Sequence, residues 1–586
     1  MNQSADSNNI TCVGLGKTLF NSSACYVSNK SGKPEIEIIL TERITRQKAS
    51  GAWPEQALAV LSKNHNLENC FITENRDVVA PPKFEEFLNK SFPFFEYLQK
   101  KNLSKYSSHF NENVKHITHH LCHASAALIV SPFEKALILV IDGAGSNVKD
   151  FSDGHAEKKF LPPNFEEKDY LEESSVYGLE SGKLTCLEKN WQEFKKSSRA
   201  EGHWLSEGLG SLYEKAAEYI FNDKRAAGKV MGLAALGRSF EIIKRNVFLE
   251  GLDWSLAFKG SGKNQWESSK HFNTYINIAA SVQNHFEKSL MALAVGLQEK
   301  YPEYENLILV GGCALNCTTN MKLFNSGLFK AIYIPPFPGD ESIGLGAASY
   351  AYHFLLNNPW RARSWQEQKS SFGSLCSVPT EEEIRKEFRD FEIIKPENIE
   401  KFAAKLLAEH KIIGWCQGQS ETGPRALGNR SILARVDSPG LKNRLNSEIK
   451  MRENFRPYGC SILHEEAHSY FDIPDGFENP FMSFAVKTRP EHRQVLHEVT
   501  HFDGTSRMQT VGSASNVRFY NLIKEVKDLT GTPCVLNTSL NVMGEPIVET
   551  VQDAKRFLIS TPVDGMAIGD LYIKKLTKPG QIQGNA

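Results

Sequence analysis

The 586-residue sequence predicts an α/β protein built as two units. Three observations carry that prediction. Apolar runs long enough to be strands buried on both faces each end in a glycine turn. Helical patterns lie between those runs. A polar, weakly periodic stretch near 355–378 then divides the chain.

The elements follow in chain order. "TCVGLG" from Thr11, "ALILVIDGAG" from Ala136 and "NLILVGGCALN" from Asn306 read as strands entering polar loops, and "SVQNHFEKSLMALAVGLQEKY" reads as a helix between two of them. Residues from about 146 to 200 are charged and irregular and read as an insertion. A first domain is expected over 1–358, a linker over 359–374 and a second domain over 375–580. The second domain opens with the helical "TEEEIRKEFRDFEII" and contains the strand-to-loop stretches "KIIGWCQG" and "TPCVLNTSLN". No internal repeat is visible, and the tail "KPGQIQGNA" reads as disordered.

Hydrophobic residues make up 41% and charged residues 23%, an ordinary globular balance. The formal net charge of -1 supplies no broad field toward nucleic acid or anionic membrane. The polar start "MNQSADSNNI" lacks a signal-peptide plan, and no apolar run approaches the roughly 20 residues that cross a bilayer. The eleven cysteines show neither zinc spacing nor a disulfide framework, which predicts a reduced, cytoplasmic protein.

Four histidines crowd "HITHHLCHASAALIV", from His116 to Val130, which has no proline or glycine and reads as a helix. His119 and His123 are four apart, share a helix face and can offer two ring nitrogens to one ion. His116 and His120 make a second such pair, and the row 116–120–123 a third arrangement. A borderline divalent cation also wants carboxylates. Asp142 ends a buried strand, where α/β folds bind ligands, and Asp340 lies in the strand-end loop "PPFPGDESIGLGAA". Two histidines and two aspartates suit iron, manganese or zinc. The bland alternative is a set of histidines bonded to backbone.

Two glycine-rich stretches have the makings of phosphate loops. Gly311 and Gly312 follow a strand and precede a helix start, where backbone amides can meet an anion. "AAGKVMGLAALG" carries Lys229 between glycines and can cover another part of a nucleotide. Neither stretch is a Walker A loop or a GxGxxG fingerprint, and tight packing turns explain such glycines equally well.

In the second unit Arg425, Lys450, Arg456 and Arg507 each sit among glycine, proline or small residues rather than on solvated helix faces. Cations beside tight turns predict a defined anion pocket, with Ser539 and Asn541 as neutral donors. The alternative is ion pairing with Glu421, Glu448, Glu453 or Glu545.

Many stretches in order, "HHLCHASAA", "VIDGAG", "GKVMGLAALG", "GGCALN", "PPFPGDESIGLGAA", "GPRALGNRSIL", "MRENFRPYG", "DGTSRMQTV" and "LNTSLNVMGEPIV", resemble the ATP-dependent O-carbamoyltransferases of antibiotic, toxin and nodulation-factor biosynthesis. The resemblance covers nearly the whole chain. It implies an actin-like, ATPase-type first domain and a YrdC-like second domain that forms carbamoyl adenylate from carbamoyl phosphate and ATP. The carbamoyl group then passes to a hydroxyl of a small-molecule acceptor at the metal site of the first domain.

Carried over by position, His119, His123, Asp142 and Asp340 match metal ligands, for which Fe2+ is implied, with Mg2+ accompanying ATP. Gly311, Gly312 and Asn316 fall on the nucleotide loop. Arg425, Lys450, Arg456, Arg507 and Ser539 match positions that contact carbamoyl phosphate or the adenylate. The family's "HDSAA"-like stretch is "FNSSA" here, so Asn21 stands at the expected acceptor position and no base for the hydroxyl is named. Asp223 is a candidate for a carboxylate expected near "GKVMGLA". No nucleic-acid or membrane partner is expected, and a homodimer is compatible with the sequence. The rival readings are a tRNA threonylcarbamoyladenosine-type modification enzyme, which the near-neutral charge disfavours, and an actin-like ATPase or chaperone, which leaves the arginine-rich second unit idle.

Overall fold

A computed structural model describes residues 11–30, 33–67, 70–75, 115–150, 153–156, 158–196, 204–260, 262–372 and 379–576. The leading decapeptide and the tail, on which two expectations fell, lie outside the described residues. The chain divides into two compact units, residues 1–373 and 374–586.

The first unit holds two sheets. One orders its strands β3-β2-β1-β4-β5, with β1 (Thr11–Lys17), β2 (Ser22–Lys30), β3 (Lys33–Leu40), β4 (Phe71–Asn75) and β5 (Lys115–Ile117). The other runs β11-β10-β6-β7-β8-β9, with β6 (Lys135–Ile141), β7 (Tyr170–Glu180), β8 (Lys183–Lys196), β9 (Trp204–Ser206), β10 (Asn306–Val310) and β11 (Ala331–Tyr333). In the first sheet β1 pairs antiparallel with β2, β2 antiparallel with β3, β1 parallel with β4, and β4 parallel with β5. In the second, β6, β7, β8, β10 and β11 repeat that order and those directions. The unit is thus a topological duplication that no sequence repeat announces. Two such sheets in one unit fit the actin-like domain that the resemblance implies.

Two wholly buried helices lie between these sheets. The histidine helix, His119–Val130, packs on β6, β7 and β10, and the helix Ile343–Tyr350 packs on β1, β2 and β4. Neither shows a polar stripe, because both faces are covered. They also pack on each other, and small residues permit the approach. A Cβ on Gly346 would stand 1.8 Å from the carbonyl oxygen of Cys122, and Ser349 Oγ donates to Ser125 O at 2.7 Å.

Two expectations change here. Residues 170–196, read as part of an insertion, form β7 and β8, long central strands of the second sheet. Their period-two pattern is masked by charged residues that the fold buries as ion pairs. Residues 359–372, expected as most of a linker, are bound to the first unit. Trp360 Nε1 donates to Leu128 O at 2.9 Å, and Gln368 Nε2 to Val130 O at 3.0 Å.

His353 sits buried in a single wide turn, Ala351–Leu355, that extends the 343–350 helix. Burial pushes its pKa down to about 4, against a hydrogen bond that its ring donates to the Asn358 carbonyl. The unfolded chain therefore binds the extra proton between pH 6.5 and 4, and the folded chain does not. Stability is complete above that window and falls as pH drops through it, by on the order of 3 kcal/mol. His353→Gln is expected to flatten this part of the stability–pH curve in denaturant melts. An unchanged slope would show that other groups carry it.

The second unit is a ten-stranded mixed sheet, ordered β12-β21-β20-β13-β14-β19-β15-β18-β17-β16. Its strands are β12 (Glu392–Ile394), β13 (Ile413–Cys416), β14 (Arg430–Arg435), β15 (Gly459–Leu463), β16 (Phe471–Asp472), β17 (Ala485–Thr488), β18 (Thr505–Val511), β19 (Cys534–Ser539), β20 (Gly565–Ile568) and β21 (Leu571–Lys574). The amphipathic helices Ile399–Ala408 and Val517–Thr530 cover the central strands. Ile399, Ala403, Leu407, Phe519, Leu522 and Val526 close a core around Trp415.

Candidate functional site

The histidine helix begins at His119, not at His116. His116 lies on β5, where its Nδ1 stands 2.9 Å from Glu74 Oε1, so no His116–His120 pair forms. His120 turns off the shared face, and its Nδ1 meets Ser175 Oγ at 2.9 Å. His119 and His123 do share a face, as an i, i+4 pair should.

Three features converge at one point: the N-terminal turn of the histidine helix, the carboxyl end of β6 with Asp142, and the turn at Asp340 that leads into the 343–350 helix. One ligand atom from each of His119, His123, Asp142 and Asp340 lies within 4.8 Å of all the others. His123 Nε2 is 2.9 Å from Asp142 Oδ2 and 3.7 Å from Asp340 Oδ1, and His119 Nε2 is 3.4 and 3.5 Å from the same two oxygens. The two Nε2 atoms are 3.0 Å apart. His123 Nδ1 has Ser342 Oγ at 3.4 Å on its far side.

Burial opposes charge here, yet both aspartates are held well below the usual carboxylate range. For Asp142, burial and Asp340 push up, and hydrogen bonds from His119 and His123 outweigh them; for Asp340 the same two histidines overcome burial. His123 is pulled down by burial but raised overall by Asp142 and Asp340. Two anionic oxygens and two imidazole nitrogens aimed at one point make a donor set for a divalent cation. The positive ends of two helices add to the pull on the carboxylates.

The double glycine has a structural task beside this cluster. Gly311 has φ +90°, and a Cβ there would stand 2.1 Å from Ile141 O; one on Gly312 would stand 2.9 Å from Asp142 Oδ1. The pair thus lets the β10 loop press on the aspartate strand. Asn316 caps the helix Cys317–Asn325 through Thr319 N, and its Nδ2 donates to Gln283 Oε1 at 3.0 Å and Tyr213 OH at 3.2 Å. The helix Ala227–Ala234 bears Lys229, whose ammonium lies 5.1 Å from the Phe221 ring centre. Met231 of that helix touches Cys317 across 4.0 Å, so the two glycine-rich stretches are neighbours. Asp223 is paired with Arg225 at 2.9 Å. Asn21 closes the β1–β2 turn, its backbone N–H donating to Thr18 Oγ1 at 3.0 Å. Two residues on, Ser23 Oγ accepts from Gly344 N at 3.2 Å, which sets this turn at the end of the first sheet that faces the Asp340 turn.

Two carboxylates here escaped the sequence reading. Glu214, on the helix Leu209–Phe221, presses on Gly143, where an added Cβ would stand 2.1 Å from its Oε1. Burial, with Asp142 next, pushes its pKa up to about 8. Glu172 on β7 is buried behind the histidine helix. Neither lies in a motif, and helical or alternating context hid both.

In the second unit the loop between β13 and β14 is folded around Glu421, whose carboxylate accepts from the amides of Leu427, Asn429 and Arg430 at 2.7, 2.9 and 3.2 Å. Glu421 therefore organises the loop that carries Arg425. Asn537 Nδ2 and Gln509 Nε2 pin it to β19 and β18 through Ala426 O and Leu427 O. Arg456 precedes β15, and Arg507 on β18 is in register with Gly459 of β15. Lys450 Nζ donates to Ser539 O at 2.7 Å, Asn541 O at 2.7 Å and Asn541 Oδ1 at 2.6 Å. Its ammonium thus braces the Ser539–Asn541 loop. Arg456 is 30% exposed, and Glu453 is 3.9 Å away. Burial, then Arg452, and more weakly Arg425, press its pKa down to about 10. Arg452, which the sequence reading passed over within "KMRENFRPYG", stacks on Tyr458 at 4.2 Å and donates to Asn446 Oδ1 at 2.8 Å. Arg452 and Arg425 thus act on Arg456 with like charge while Glu453 opposes them, and guanidinium groups grouped in this way suit an anion.

A family model described as carbamoyltransferase N-terminus matches residues 84–349, and one described as carbamoyltransferase C-terminus matches residues 404–575. Nodulation protein NolNO of Sinorhizobium fredii is 33% identical over 483 residues, 79% of this chain and 64% of that protein. The chain thus spans less than two thirds of that relative. Nodulation protein NolO of Bradyrhizobium diazoefficiens is 31% identical over 80% of each chain. Among solved structures, HypF of T. kodakarensis superposes with a TM-score of 0.29 at 14% identity, over 59% of this chain and 48% of its own. That superposition is too remote to bear on the fold. No described helix is long and apolar enough to cross a membrane.

Proposed function

Because the chain belongs to the carbamoyltransferase family, we propose that it is an ATP-dependent O-carbamoyltransferase acting on a hydroxyl of a small secondary metabolite, with its chemistry divided between the two units. The observation that carries this reading is the convergence of His119, His123, Asp142 and Asp340 in a unit separate from the arginine cluster.

Water hydrolyses carbamoyl phosphate to carbamate and inorganic phosphate in the second unit, and the carbamate oxygen then bonds to the α-phosphorus of ATP as pyrophosphate leaves with the bonding pair. Carbamate is a weak electrophile because nitrogen donates into its carbonyl, and AMP gives it a leaving group. Arg425, Arg456 and Arg507 neutralise charge on the departing phosphates, while Lys450 holds Ser539 and Asn541 in place as neutral donors. In the first unit the acceptor oxygen bonds to the carbamoyl carbon, and AMP leaves with the bonding pair. His119, His123, Asp142 and Asp340 would hold a divalent metal, Fe2+ by resemblance, which would supply Lewis acidity there. Gly311 and Gly312 let backbone approach the nucleotide end of the intermediate.

The test is incubation of the protein with carbamoyl phosphate, ATP and a panel of aminoglycosides, macrocycles, guanidinium compounds and sugars. A carbamoyl mass increment on one of them, dependent on both cosubstrates, is expected. Absence of carbamoyl-phosphate-dependent pyrophosphate release would sink the reading whatever acceptor is offered.

A further inference from the structure

We propose that Glu172 is a positioning residue for the metal centre, a single buried carboxylate that sets the spacing between the histidine helix and the Asp142 loop. The inference rests on reading His119, His123, Asp142 and Asp340 as metal ligands.

The histidine helix starts without a cap of its own. Thr118, at the N-cap position, makes no side-chain hydrogen bond to the first turn. The exposed amides of that turn need acceptors. One side chain from the loop after β6 and one from β7 supply them. His119 N donates to Ser146 Oγ at 2.9 Å, and His120 N donates to Glu172 Oε2 at 3.3 Å. The same Glu172 oxygen accepts from Ser146 N at 3.0 Å.

Ser146 is four residues beyond Asp142 on the same loop. Backbone bonds tie that loop to β7 at the same place: Gly145 N donates to Glu172 O at 2.9 Å, and Glu172 N donates to Ser146 O at 3.1 Å. One carboxylate thus holds two segments that between them carry three of the four ligands. A negative charge at a helix N-terminus is also favourable in itself.

Glu172 is fixed in turn by a cation. Lys189 Nζ donates to Glu172 Oε1, lies 3.0 Å from Asp153 Oδ2 and donates to Ser175 Oγ at 3.2 Å. Ser175 Oγ meets His120 Nδ1 at 2.9 Å, and Asp153 Oδ2 accepts from Tyr177 OH at 2.6 Å. The side chains of Lys189 and Asp153 are fully buried and that of Glu172 is 1% exposed. So costly an ion cluster behind the ligand helix serves geometry: removing one partner alone leaves an uncompensated buried charge, whereas replacing all three charges by neutral groups of similar size is tolerated.

Co2+ is titrated into the full chain and followed by its visible d–d absorption. The chain with D153N, E172M and K189M leaves no charge buried in the cluster, and the amide oxygen at 153 can still accept from Tyr177 OH, so it is expected to melt near the parent. Its Co2+ affinity is expected to fall about 10–100-fold, the usual consequence of removing a partner that orients a metal ligand, with an altered spectrum. Glu172→Gln, which keeps one acceptor for the two amides, is expected to lie between. Parent-like affinity and spectrum in either variant overturns the positioning role while leaving the metal centre standing. A parent chain that takes up no more Co2+ than His123→Ala overturns the metal centre, and this inference with it.

Discussion

Replacing His123 with alanine is expected to cut carbamoyl transfer by at least about 100-fold while leaving pyrophosphate release within about twofold of the parent. His123 is fully buried and its Nε2 faces both Asp142 and Asp340. Without it, two close carboxylates keep only His119 between them, and their repulsion works against any shared ion. The arginine cluster belongs to the other unit and keeps its residues. The measurement pairs a pyrophosphate assay with mass detection of the carbamoylated acceptor on the same sample. Equal losses in both signals would contradict the division of labour.

Arg456→Ala is expected to do the reverse at the first step, lowering pyrophosphate release by about 100-fold or more. Its stability signature is unusual. Arg452 and Arg425 press on Arg456 with like charge, and Glu453 at 3.9 Å is a distant partner. Removing the guanidinium relieves that repulsion, so the melting temperature is expected to stay level or rise. A merely structural arginine would lower it. Arg456→Lys is expected to recover little, because an ammonium cannot grip phosphate bidentately. Full activity in the lysine variant would reduce Arg456 to a point charge.

Much of the first unit's candidate site is legible in the sequence. Asp142 announces itself because "ALILVI" suits a strand covered on both faces, and a carboxylate directly after such a strand stands at its carboxyl end. The spacing of His119 and His123 fixes a common helix face. His116 misled because continuity of composition hid the helix start at 119, where β5 ends. Glu172 and Lys189 were illegible for a different reason. In an isolated sequence a charged strand residue reads as solvated, and only a partner from elsewhere makes its burial affordable. Lys450 shows the same limit, since the four oxygens around its ammonium belong to residues about 90 positions away.

The sequence by itself determined the α/β class and the two-part organisation, and it singled out the histidine–aspartate quartet that converges in the first unit and the cations of the second. Those features rest on local periodicity and on residue chemistry that any strand-end or helix-face position expresses. Only the tertiary structure decided that Arg456 stands among like charges, that Lys450 braces a loop, that two sheets repeat one topology, and that Glu172 joins helix to loop. Each of these is a relation between segments far apart in the chain, and burial and electrostatics act through distance in space.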